Sequence, residues 1–141
     1  IATGHVPVIT HPERLSYIEE HYDQFIAAVQ MGAWIQLTGG ALLGRFGGRV
    51  QKLSQRFLAD GVTHLLASDG HNLKNRTPQL SEARAAAAII VGEEEANRLV
   101  QERPRAILDN VDPTLVAPID VKPPVVQNEV QPGLWRRLFG G

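Results

Sequence analysis

Trp34-Ile35-Gln36-Leu37, followed at once by Thr38-Gly39-Gly40, is the stretch on which the fold turns. Its bulky apolar residues read as a strand, and the glycine-rich segment Thr38 to Gly48 reads as a flexible turn leaving that strand. After the turn, Val50, Leu53, Phe57 and Leu58 recur at helical spacing before Gly61, which predicts an amphipathic helix. The unit is therefore strand, loop and helix.

The same unit stands on either side. Upstream, Val6 to Ile9 is a short β-branched run interrupted by Pro7, and Ile18, Tyr22, Phe25, Ile26 and Val29 share one helical face. Ser16, with Glu19 three residues on, resembles a capping box, and Gly32 stands where a left-handed cap ends a helix. Downstream, His64 to Ala67 predicts a third strand and Ser68 to Pro78 a polar loop. An alanine-rich helix then packs Leu80, Ala83, Ala87, Ile90 and Val91 before Gly92. Glu93 to Arg103 predicts a further helix, with Pro104 opening a last short turn through Asn110.

Strands recurring about every 30 residues with helices between them indicate right-handed crossovers and a parallel sheet. The fold class is α/β, with three parallel βα units followed by C-terminal helices. A parallel sheet must be covered on both faces or closed into a barrel, and three strands close nothing. Two bare edges also invite association. The expectation is that more strands precede Ile1, or that a partner in an oligomer supplies the cover. Residues 1–111 are read as one domain and 112–141 as a disordered tail, where Pro113, Pro118, Pro123, Pro124 and Pro132 interrupt every period. The tail ends in Leu134-Trp135-Arg136-Arg137-Leu138-Phe139, too short to hold a membrane surface stably alone.

Composition narrows the function. A formal net charge of -1 with both signs dispersed offers no basic field for a nucleic-acid backbone, so nucleic acid is not an expected partner. The chain has no cysteine, which excludes disulfides, thiolate metal sites and a cysteine nucleophile. No stretch reaches the roughly 20 apolar residues of a membrane span, and no signal-peptide pattern opens the chain. A cytoplasmic protein without a transmembrane segment is the expectation.

In parallel α/β folds, chemistry collects in the loops after the carboxyl ends of the strands. Two such loops are unusual: Thr10-His11-Pro12-Glu13-Arg14, and Ser68-Asp69-Gly70-His71-Asn72 with Arg76 shortly after. Each brings a histidine, a carboxylate and an arginine. Imidazole and carboxylate ligate divalent metals such as Mn, Fe or Zn, and Asp-x-His on a turn can aim both groups at one cluster. Arginine matches phosphate oxygens with a planar fork. His11, Asp69 and His71 as metal ligands, with Arg14 and Arg76 holding phosphate, together suggest a metallophosphoesterase. The competing structural readings are plain. His11 could only shape its loop, Asp69 and His71 could cap the following segment, and Glu13 is expected to be solvated or paired with Arg14. His5, His21 and His64 lie off the loops and are read as structural.

At these loops the chain resembles the manganese-dependent protein-tyrosine phosphatases of capsule and exopolysaccharide synthesis, members of the PHP superfamily. The resemblance rests on Val8 to Arg14, on Gln36 to Gly47, and on Ala67 to Asn72 with Arg76, Pro78 and Leu80, and covers roughly residues 1 to 110. It implies part of a distorted (β/α)7 barrel of which this chain is the C-terminal portion. It also implies a cluster of up to three metals, with His11, Asp69 and His71 among its ligands and Arg14 and Arg76 on the substrate phosphate. The implied reaction is in-line attack by an activated water without a phosphoenzyme, and the implied substrate a phosphotyrosine protein, a bacterial tyrosine kinase. The family's His-x-His pair, a further His and its Glu ligands have no counterpart here and would precede Ile1, so the chain alone is expected to be inactive. Two alternatives remain: another ester, histidinol phosphate or a nucleic-acid end, and a non-catalytic half-barrel acting as an interaction module.

Overall fold

The computed structural model describes residues 4–74, 77–116 and 119. Three parallel strands lie in the order β1 (Val8–Thr10), β2 (Trp34–Thr38) and β3 (Leu65–Ala67). Val8 pairs with Trp34 and Thr10 with Gln36, while Gln36 pairs with Leu65 and Thr38 with Ala67. The carboxyl ends of all three strands therefore lie at one edge of the sheet. α1 (Tyr22–Gln30) connects β1 to β2, α2 (Gly39–Leu42) and α3 (Gly48–Ala59) connect β2 to β3, and α4 (Ser81–Val91) follows β3. The α/β reading with three parallel units is the observed one.

The sheet buries one side more deeply than the other. Ile35, Leu37 and Leu66 are almost wholly enclosed together with Phe57 and Leu58 of α3, whereas Val8 and Thr10 of β1 stay exposed and Trp34 and Gln36 half-buried. Enclosing a side chain the size of Phe57 contributes about 1.5–3 kcal/mol, so this layer is the main apolar contribution to stability. Tyr22 locks α1 onto α3: its ring lies 4.8 Å from that of Phe57, its hydroxyl donates to Asp60 at 2.8 Å, and the Arg56 guanidinium covers its outer face.

Local details depart from the sequence reading for definable reasons. The segment from Ser16 to His21 is a series of turns, not a capped helix start. Glu19 instead accepts from Arg49 Nε at 2.7 Å, and Arg49 Nη2 donates to the carbonyl of Ser16 at 2.9 Å. A guanidinium from α3 thus ties these turns down by donating to Glu19 and to the carbonyls of Leu15 and Ser16, and no capping box forms. The glycine-rich segment is not simply a flexible turn either, because β2 runs straight into α2. A Cβ on Gly39 would stand 2.8 Å from the Ala83 Cβ, so glycine is needed there for α2 to approach α4. Beyond Gly92 the chain forms α5 (Glu93–Asn97), a wide π-turn from Arg98 to Glu102, and α6 (Arg103–Leu108). Arg103 N–H reaches back to the carbonyl of Arg98. Pro104, which has no N–H to give, stands in the first turn of α6 as the sequence reading expected, though the helix runs into it from the π-turn without a break.

The expected tail falls almost entirely outside the described residues, apart from a 3-10 turn at Pro113–Leu115 in which Asp112 accepts from Thr114 N–H at 2.9 Å. Among the described residues, no helix is long and apolar enough to cross a membrane.

Candidate functional site

The loop after β1 is short because it has to turn at once. His11 adopts a left-handed conformation with φ 40°, and Pro12–Arg14 then forms a 3-10 turn that begins on proline, whose fixed φ suits a first helical position. His11 N–H donates to the Gln36 carbonyl at 2.8 Å, which ties this turn to the neighbouring strand. A β1 carboxyl end anchored in this way holds the next three side chains over the sheet's edge.

Glu13 is wholly buried, and the expectation that it would be solvated or paired with Arg14 is corrected. Its Oε1 accepts from Thr38 N–H at 2.8 Å, across 25 residues of sequence, at the point where β2 passes into α2. Burial pushes its carboxyl above the usual carboxylate range, partly countered by the Thr38 amide. Glu13 Oε2, His11 Nδ1 and the Thr38 hydroxyl are all buried without a hydrogen-bond partner among the described residues. Buried polar atoms are nearly always paired, so a group of unpaired ones in neighbouring loops marks a place where something polar belongs. The sequence offered one weak signal for Glu13, its position directly after a strand; its enclosure beneath β2 is set by packing that no local pattern records.

The loop after β3 repeats the device. Asp69 is also left-handed, with φ 49°, and its carboxylate faces two ways. Oδ2 accepts from Arg14 Nη1 at 3.0 Å and Oδ1 lies 3.2 Å from His71 Nε2. Arg14 therefore spans from the first loop to the third, joining residues 55 apart in sequence. Its guanidinium also lies over the Phe46 ring, 4.5 Å from the centroid, so one edge is fixed by charge and one face by the aromatic quadrupole.

The two loops singled out in the sequence thus meet at the carboxyl ends of the strands, through Arg14, Asp69 and His71. His11 lies in the same turn as Arg14, yet among the described residues no three His, Asp or Glu side chains are grouped so as to hold a metal ion. Arg76 lies outside the described residues. His64, read as structural, is so: it is buried at the opposite end of the sheet, accepts from Ile35 N–H through Nδ1 at 3.1 Å and stacks on Trp34.

A parallel α/β sheet that brings Arg14, Asp69 and His71 together at the carboxyl ends of its strands defines the class to which this chain belongs. Within that class the family is clear, since the family model "Capsular polysaccharide synthesis, CpsB/CapC" matches residues 1–109. The chain belongs to the CpsB/CapC family. It is 40% identical over 80 residues to the tyrosine-protein phosphatase YwqE of Bacillus subtilis, covering 57% of this chain and 32% of that protein. It is 32% identical over 112 residues to the tyrosine-protein phosphatase CpsB of Streptococcus agalactiae, covering 76% of this chain and 46% of that one. A chain from the crystal structures of YwqE from Bacillus subtilis and CpsB from Streptococcus pneumoniae, described as unique metal-dependent tyrosine phosphatases, matches at TM-score 0.72 and 35% identity. That match covers 77% of this chain and 44% of the solved one. The matched part of this chain spans less than half the length of each of these relatives.

Proposed function

We propose that this chain is part of a metal-dependent phosphatase that removes phosphate from tyrosine in a protein of capsular or exopolysaccharide synthesis. The observation that carries the proposal is the Arg14–Asp69 contact. It joins the two loops that bear His11, Glu13 and His71, in a family whose named relatives are tyrosine-protein phosphatases. The substrate protein is proposed to be a bacterial tyrosine kinase, and the compartment the cytoplasm.

The residues present fit a divalent cation in their chemistry. His11 Nδ1 is a buried lone pair or N–H without a hydrogen-bond partner among the described residues, and Glu13 Oε2 is a buried acceptor in the same state; a bound cation would account for such atoms. His11, Asp69 and His71 would hold the metal, with Glu13 as a further donor, and manganese is the proposed ion, with iron or zinc as substitutes. When bound, the metal supplies Lewis acidity toward the phosphoryl oxygens and lowers the pKa of water. Arg14, and Arg76 in the proposed site, would bind the phosphate in the bidentate manner that guanidinium permits, and so orient the ester in line for attack. Arg14 already has its plane fixed before substrate arrives.

The sheet is read as part of a (β/α)7 barrel whose other strands would lie along its two edges. The half-exposed face carrying Val8, Thr10, Trp34 and Gln36 supports this, because a barrel interior would cover it. Residues 1–111 are proposed as the domain portion and 112–141 as an appended tail.

A second reading, a half-barrel that serves as a non-catalytic interaction module, is favoured by one observation. Among the described residues, no set of three donors is grouped to hold a metal. The two are separated by assaying the whole protein and this chain alone, with and without manganese, on a phosphotyrosine peptide, on histidinol phosphate and on a phosphorylated nucleic-acid end. Manganese-dependent turnover of the peptide by the whole protein, with none by the chain alone, is expected. Faster hydrolysis of histidinol phosphate would reassign the substrate, and metal-independent inertness of the whole protein would leave the interaction module.

A further inference from the structure

A groove of about 100 Å³ is lined by Gly40, Leu43, Arg45, Phe46, Ser68 and Thr77. It adjoins the Arg14–Asp69 contact through Phe46, whose ring Arg14 covers, and through Ser68, which directly precedes Asp69. We infer that this groove receives the aromatic leaving group of the phosphate ester, with Phe46 as both its wall and the positioning residue for Arg14. The inference rests on the proposed phosphatase reading and deepens it by assigning the part of the substrate that the metal and arginine positions leave unnamed.

The argument begins with Phe46. Its ring is half-buried, and the Arg14 guanidinium lies over one face. Arg14 is itself tied to Asp69, which directly follows Ser68 of the groove wall. A phosphate taken by Arg14 would therefore bind beside the Phe46 ring. An aryl ester can extend along an aromatic and aliphatic wall there, while an alkyl ester gains less from the same surface.

Gly40 explains why the wall stands where it does. A Cβ on Gly40 would come 3.2 Å from Phe46 Cε2 and 3.5 Å from Arg45 Cδ, so a larger residue would displace the ring. Arg45 is held to Glu82 of α4 at 3.2 Å, which engages its guanidinium while its stem lines the groove. Loss of the Phe46 ring would free the guanidinium plane and remove the apolar wall together, so both binding of the ester and its orientation suffer.

The test uses the whole protein with Phe46→Leu, Phe46→Tyr and Gly40→Ala. For Phe46→Leu, KM for a phosphotyrosine peptide should rise about tenfold with a smaller change in kcat, and inhibition by inorganic phosphate should weaken several-fold, within the range a lost cation–π contact allows. Phe46→Tyr, which keeps the ring, should restore both, and Gly40→Ala should raise KM without weakening phosphate inhibition as much. Thermal midpoints close to wild type show that the variants fold. In parallel, amide shifts of Gly40 and Leu43 should respond to phenyl phosphate but not to inorganic phosphate, and phenyl phosphate should bind more tightly than inorganic phosphate to wild type and equally to Phe46→Leu. Wild-type constants in Phe46→Leu, or equal binding of the two probes by wild type, would overturn the inference. If wild type turns over no phosphotyrosine yet still prefers phenyl phosphate in this groove, the phosphatase reading fails and the aryl site stands.

Discussion

The two ends of the sheet treat buried polar groups in opposite ways. At the carboxyl end, His11 and Asp69 sit in left-handed backbone, and His11 Nδ1, Glu13 Oε2 and the Thr38 hydroxyl are enclosed without partners among the described residues. At the amino end, Arg103 is as deeply buried but compensated. Its Nη1 donates to Glu95 at 2.6 Å and to the His64 carbonyl, and His64 in turn accepts from Ile35 N–H. Of the four unpartnered buried side-chain atoms among the described residues, three belong to the carboxyl end and one, the Thr63 hydroxyl, to the other. Strain and unpaired polarity cost stability and persist where they serve a site, whereas the amino end spends its polar groups on holding the C-terminal helices to the sheet.

That contrast can be broken at either end. The largest effect is expected from Asp69→Ala in the whole protein. Removing the group that meets both Arg14 and His71 should lower phosphatase turnover at least about hundredfold and reduce metal content, while leaving the denaturation midpoint nearly unchanged. Metal analysis beside steady-state rates checks it, and wild-type turnover would remove Asp69 from the site. At the amino end the expectation reverses. Arg103→Met should destabilise the fold by about 3 kcal/mol in urea titration, because Glu95 loses its innermost partner, with metal content unaffected.

The smallest of these effects depends on pH. Burial, reinforced by the nearby Arg103 charge, lowers the His64 pKa from 6.5 to about 4. The folded protein thus keeps His64 neutral where the unfolded chain takes up a proton. The associated stability is complete above pH 6.5 and is lost progressively as pH falls toward 4, in total on the order of 3 kcal/mol. His64→Asn, whose amide oxygen can still accept from Ile35 N–H, should flatten the profile over that window. Denaturation series at about pH 7.5, 6 and 5, from about one unit above the usual histidine value to about 1.5 below it, read about 2 kcal/mol of that total. Identical slopes in wild type and variant would show that the amino end is not acid-sensitive through this residue.

Much of the fold was legible because local periodicity is a local property. The alternation of short apolar runs with helical faces located all three strands and placed His11, Arg14, Asp69 and His71 in loops at the same end of a parallel sheet. Where the reading went astray, a distant group had replaced a local one. Ser16 and Glu19 have the spacing of a capping box, but Arg49 from α3 engages both, donating to the Glu19 carboxylate and to the Ser16 carbonyl. Thr38 to Gly48 looks like a flexible turn, but the closeness of Ala83 makes Gly39 part of a packed helix contact.

The amino-acid order by itself determined the α/β alternation, the absence of thiol chemistry and which loops carry metal-capable and phosphate-capable side chains, since each depends on residue type and spacing within a dozen positions. Only the tertiary structure decided that Glu13 is enclosed beneath Thr38, that Arg14 is held between Asp69 and Phe46, and that His64 is kept neutral beside Arg103. Those outcomes depend on desolvation and on contacts between residues 25 to 55 apart, which exist only once the strands have paired and the helices have closed over them.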